Sequence, residues 1–365
     1  MSVLKTLEIN LRKAVGKPLT PTGENALAAF LGLPGMERWQ PSDLHLAELS
    51  TVFAIGLPFS LLGENPSTKK LSKKIAQTFL SQDRLPKSEW SEVQAGAVLA
   101  RLKAEISYVP RAKVEGTRTP DLRAIWSRDA QLAVEVTRAD RRDLHHKVEQ
   151  GLNALIEVVR PMDQRWHVLA FFSDASDKDA LMAALEAVIY LKPGQSADAD
   201  GRWAIRAVEG DLREEVVGAS AKALFAPSWF PSDAPTFMRT STVVGAGFSP
   251  VITLYSLVPA WTYLEPIARK ANRPQSDAKM PFLIAMDSAE LPRAHERARS
   301  DLLESFPAWP RISGVMLFEY RPWAGVERKE FIVSIHANEE AALPLPEPLH
   351  TLASGKRLSL DFILS

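Results

Sequence analysis

The chain has 365 residues, 46% of them hydrophobic and 24% charged, a globular composition long enough to bury two or three cores. Its 44 basic side chains balance 44 acidic ones, so net charge provides no general attraction to nucleic acid or to acidic membranes. With no cysteine, the chain has no disulfides, thiolate metal sites, iron–sulfur clusters or cysteine nucleophiles.

Residues 1–85 read as a helical N-terminal region. "ENALAAFLGL", "LHLAELSTVFAIGL" and "KKLSKKIAQTFL" are separated by turns such as "KPLTPTG" and "GENPST". The opening "MSVLKTLEINLRKAV" alternates charged and apolar residues and lacks the apolar centre of a signal peptide. No run approaches the ~20 apolar residues of a membrane span. A soluble, cytoplasmic protein with no membrane partner is expected.

Residues 86–215 carry an α/β pattern. "SEWSEVQAGAVLARLKAEI" predicts a helix with Val98, Leu99, Leu102 and Ile106 on one face. "DLRAIW" and "QLAVEVT" predict two strands around the turn "SRD". A helix at about 140–160 follows, with Leu144, Val148, Leu152, Leu155 and Val159 as its apolar stripe. "WHVLAFFSD" is nearly all apolar, as in a strand covered on both faces, and precedes the helix "KDALMAALEAVIYL" and the strand "RWAIRAVEG". Helix, hairpin, helix, buried strand is an α/β sandwich pattern.

Residues 216–365 carry weaker patterns. "SAKALFAPSWFPSDAPTF" reads as loop, "PFLIAMDSAEL", "RISGVMLFEY" and "EFIVSIHAN" as strands, and "RAHERARSDLLESF" as a helix. An α/β C-terminal extension is expected, forming one composite domain with the 86–215 core.

The hairpin holds the residues that suggest chemistry. Alternation puts Leu132, Val134 and Val136 on one face and Ala133, Glu135 and Thr137 on the other. An acid inside an apolar strand is costly to bury unless something pairs with it. Asp121 opens the preceding strand, and a tight hairpin would bring it to Glu135. Two carboxylates held together need a shared proton or a cation between them. Magnesium or manganese suits such hard oxygen ligands. The same residues also allow a plain surface hairpin in which Glu135 pairs with Arg123 or Arg138.

Together, Glu92 on the upstream helix, Pro120-Asp121 at the hairpin, Glu135-Val136-Thr137 on the next strand and a polar helix after it span about 88–175. This arrangement resembles the PD-(D/E)XK nuclease superfamily, the restriction-endonuclease-like fold. The resemblance implies a mixed-sheet sandwich core and Mg2+- or Mn2+-dependent hydrolysis of nucleic-acid phosphodiesters, with DNA favoured over RNA, in restriction or defence. By the same resemblance, Asp121 and Glu135 would hold the metal and Glu92 would be an accessory ligand. Thr137 departs from the pattern, because it stands where the family carries lysine and a hydroxyl cannot supply that charge. Lys147 on the following helix would reach back to provide it, and Gln150, on the same helical flank, would position water or phosphate.

Residues 101–147 carry eleven Lys/Arg against seven Asp/Glu, and Arg118, Arg123, Arg138, Arg141 and Arg142 are the expected phosphate track. Two alternatives stay open. One is a catalytically silent nuclease-fold module that binds nucleic acid or protein, and the other is a structural or assembly protein acting through its C-terminal half. A homodimer or a protein partner is compatible with either.

Other motifs carry less. Gly245 and Gly247 lack the third glycine of a dinucleotide fingerprint and the Lys-Ser/Thr of a phosphate loop. His145 and Glu149 fall short of a two-histidine zinc pattern. Asp287 is expected to cap a helix, and Trp203, Trp261, Trp309 and Trp323 to fill cores rather than stack bases.

Overall fold

The computed structural model describes residues 3–39, 46–82, 85–110, 119–139, 142–162, 165–199, 201–217, 221–231, 236–244, 248–259, 261–272, 279–289, 294–321 and 328–365. In chain order come α1 (Val3–Val15), α2 (Pro21–Leu31), α3 (Leu46–Leu62), α4 (Lys69–Gln82), α5 (Lys87–Arg101), β1 (Glu105–Tyr108), β2 (Leu122–Ile125) and β3 (Gln131–Arg138). Then follow α6 (Arg142–Val159), β4 (Trp166–Phe172), α7 (Lys178–Tyr190), β5 (Ser196–Ala199), β6 (Trp203–Glu209), α8 (Arg213–Val217), α9 (Ala221–Phe225), β7 (Thr236–Thr242) and β8 (Val251–Leu257). The chain closes with α10 (Trp261–Ala271), β9 (Phe282–Asp287), α11 (Ala294–Ser305), β10 (Gly314–Arg321), β11 (Arg328–Ala337), α12 (Glu347–His350) and β12 (Leu358–Ile363).

These elements form a mixed α/β structure in two compact units, each built on one mixed sheet. The first unit comprises residues 1–139, 263–290 and 294–365, and the second comprises 140–262 with 291–293. The boundaries expected after residues 85 and 215 do not coincide with these units. The reason is long-range pairing: β3 pairs in parallel with β9, so distant parts of the chain complete one sheet.

In the first unit the strand order is β1-β2-β3-β9-β10-β11-β12. Its flanks are antiparallel, while β3, β9 and β10 run parallel through the centre. Every residue of β9 is buried, as expected of an apolar run in a parallel sheet centre. Leu132, Val134, Val136, Leu283 and Ala285 share one core with Trp90, Val93 and Val98 of α5 and with the N-terminal helices. Burying each of these leucine and valine side chains contributes about 1.5–3 kcal/mol. The first helices are therefore part of this unit's core.

Helix α5 ends earlier than its apolar pattern predicts. Lys103 takes a left-handed conformation with φ of 71°, which breaks the helix and turns the chain into β1. Ile106 is consequently a buried strand residue.

In the second unit the order is β5-β6-β4-β8-β7, with β4 and β8 parallel and the other pairs antiparallel. The expected hairpin-to-buried-strand continuation fails here. β4 belongs to this second sheet, whereas the β2–β3 hairpin belongs to the first. Strands β7 and β8 arise in the region where the sequence pattern is weak.

Candidate functional site

The open end of the β2–β3 hairpin positions the two predicted carboxylates. The regular register ends at the Leu122–Val134 pair, and Asp121 and Glu135 are the next residue along each strand. The ladder stops being regular there. Asp121 N–H donates to the Val134 carbonyl at 3.0 Å, and Val136 N–H donates to Asp121 Oδ2 at 2.8 Å. Pro120 cannot donate a backbone hydrogen bond, and the Asp121 side chain takes over the pairing at this end.

Glu135 lies on the sheet face opposite the Val134 and Val136 core, together with Thr137. It forms an ion pair with Lys270 of α10, through Oε1. The side chains are only 22% and 16% exposed, deeper than a surface pair, which contributes ~0–1 kcal/mol. Tyr263 and Ile267 are buried on α10, and Lys270 follows one turn later on that inward side. The Tyr263 hydroxyl donates to Asp301 of α11, which anchors the helix. Glu135 thus pairs with neither Arg123 nor Arg138, the partners considered for a plain hairpin.

Glu92 is placed differently from its expected accessory role. Its helix packs against the Val134 and Val136 face, away from Glu135. Tyr108 donates its hydroxyl to the Glu92 carbonyl at 3.2 Å. Burial raises the Tyr108 pKa, and the nearby Glu92 charge raises it further. Among the described residues no group of three or more His, Asp or Glu is arranged to hold a metal, so a three-carboxylate set with Glu92 is not formed.

Lys147 and Gln150 lie on α6, in the second unit. Gln150 Nε2 is 2.9 Å from His146 Nε2, and His145 lies 2.5 Å from Arg239 through Nδ1. Arg118 and Arg141 lie outside the described residues, and Arg142 is the first residue of α6. Arg123 shares a rung with Ala133 and so belongs to the Glu135 face. Arg138 shares a rung with Asp287 on the opposite face. A single phosphate track containing both Arg123 and Arg138 therefore does not form: strand alternation separates them.

Asp287 is buried at the carboxyl end of β9 and does not cap α11, which begins at Ala294. Its Oδ2 accepts the Ser91 hydroxyl at 2.6 Å, and its Oδ1 accepts Ala289 N–H at 3.0 Å, closing an Asx turn. Gly245 and Gly247 lie outside the described residues, as do the side chains of Trp261 and Trp323. Trp203 and Trp309 are buried.

Sequence reasoning missed Lys270 because the pairing joins residues 135 positions apart. The available signal was a lysine one turn after an apolar pair in "WTYLEPIARKA". No protein-family model matches the chain, and neither a curated protein nor a solved structure does.

Proposed function

We propose that the protein is a metal-dependent nuclease whose site is built on Asp121 and Glu135. The observation that carries this reading is that they directly follow the last regular pair, Leu122–Val134, at the open end of the hairpin. The order of elements supports it. Helix, hairpin, helix, buried strand recurs within the first unit as α5, β2–β3, α10 and β9, with β9 parallel to β3. On this reading the unit is a restriction-endonuclease-like core, and residues 140–262 are an insertion that begins after β3 and ends within the first turn of α10.

The donor set fits Mg2+ or Mn2+. Both side chains offer hard carboxylate oxygens, and Glu135 meets Lys270 through Oε1. Two protein carboxylates suffice for an ion that keeps several waters and takes further oxygens from a phosphate. When bound, the metal supplies Lewis-acid polarisation of the phosphodiester and lowers the pKa of its bound water. Asp121 and Glu135 hold that charge in place, and Arg123, on the Glu135 face, adds positive charge for the nucleic-acid backbone. DNA is the favoured substrate.

One observation favours a second reading. A neutralised Glu135 with Thr137 beside it also suits a module that binds nucleic acid or protein without cutting it. Incubating the full chain with DNA and RNA in Mg2+ or Mn2+ separates the two: cleavage supports the nuclease, and retention without cleavage supports the module.

A further inference from the structure

We infer that Lys270 is the site's own cation, seated on Glu135 until a divalent metal displaces it and then free to hold the substrate phosphate. This rests on the reading of Asp121 and Glu135 as metal ligands. Lys270 reaches Glu135 from a helix fixed by buried Tyr263 and Ile267, so the contact is built into the fold. It places an ammonium on the face of β3 that carries Glu135 and Thr137, where Thr137 itself carries no charge.

An ammonium and a divalent ion cannot share one carboxylate cheaply, because like charges within ~4–6 Å repel. In the unloaded site Lys270 satisfies the partly buried acid, whose burial would otherwise be unfavourable. A metal arriving at Glu135 must push the ammonium away. The flexible four-carbon stem allows that movement without shifting α10, and a phosphate oxygen is the partner that restores the lost interaction. Lys270 is thus a latch in the empty site and a phosphate clamp in the loaded one.

Mn2+ titration of the full chain by calorimetry tests this without relying on cleavage. Lys270→Met and Lys270→Gln remove the competing cation and should each bind Mn2+ roughly threefold or more tightly than the wild type. Glu135→Gln should bind it much more weakly. Circular dichroism confirms that each variant is folded, and the two Lys270 substitutions guard against a misfolded one. Equal or weaker Mn2+ binding by both folded Lys270 variants, with binding still dependent on Glu135, would overturn the latch and leave the metal site standing. Mn2+ binding indifferent to Glu135→Gln, or no binding by any variant, would overturn the metal site and the latch together.

Discussion

Val136 N–H donates to Asp121 Oδ2 at 2.8 Å across fifteen positions of sequence. The proposed ligand therefore also completes the strand pairing where the regular ladder ends. Its two roles separate by substitution. Asp121→Asn keeps a carbonyl acceptor for Val136 and should leave stability nearly unchanged while weakening Mn2+ binding. Asp121→Ala leaves that N–H without its acceptor and should cost about 1–3 kcal/mol. Urea denaturation checks both, and equal destabilisation by the two would refute the backbone role.

Gly96 lies in the buried face of α5, directly under the Tyr108 hydroxyl. A methyl group there would overlap Tyr108 Oη, which is held in place by its bond to the Glu92 carbonyl. Alanine gains ~1 kcal/mol of helix propensity over glycine, but overpacking of this kind costs ~1–3 kcal/mol. Gly96→Ala should therefore lower the thermal midpoint. A raised midpoint would show that the Tyr108 contact yields easily.

A buried chain of side chains should make the first unit less stable in acid. Ser288 Oγ is 3.1 Å from His295 Nε2, Ser334 Oγ is 2.9 Å from His295 Nδ1, and Ser334 Oγ is 3.1 Å from His336 Nε2. Burial pushes the His295 pKa down to about 3, assisted by Arg357, His336 and Arg321. It pushes His336 down to about 4, assisted by Arg299.

In the unfolded chain both histidines take up protons near the ordinary value of ~6.5, so between that pH and the folded values the unfolded state binds more protons. Stability should fall as pH drops through this window, by about 2 kcal/mol per histidine at pH ~5. Urea midpoints measured near pH 7.5 and pH 5 should separate more in the wild type than in His295→Gln/His336→Gln. An identical separation would show that these histidines do not govern the response to acid.

Local patterns made many individual elements legible before the tertiary arrangement was visible. Buried "PFLIAMD" reads as a strand because all its residues are apolar until the terminal acid, and it is β9. The alternation of "QLAVEVTR" correctly separates Glu135 from Val134 and Val136. Partners of strands were not legible. "WHVLAFF" has the same apolar character as β9, so nothing local says that β4 joins the second sheet while β9 lies beside β3. The candidate site divided in the same way. Asp121 and Glu135 flank a short hairpin whose strands the local alternation predicts, whereas Lys270 and the Ser91–Asp287 bond depend on contacts across 135 and 196 positions.

Cleavage of DNA by the purified full chain tests directly whether Asp121 and Glu135 form a metal-dependent hydrolytic site. Supercoiled, linear and single-stranded DNA are incubated with Mg2+ or Mn2+, with EDTA controls, for the wild type, Asp121→Asn and Glu135→Gln. The wild type should cut only with metal, and each substitution should lower the rate by at least the ~10–100-fold that loss of an outer-shell partner costs a metal site. Intact DNA in every wild-type reaction, or cleavage by Glu135→Gln at the wild-type rate, would contradict that assignment.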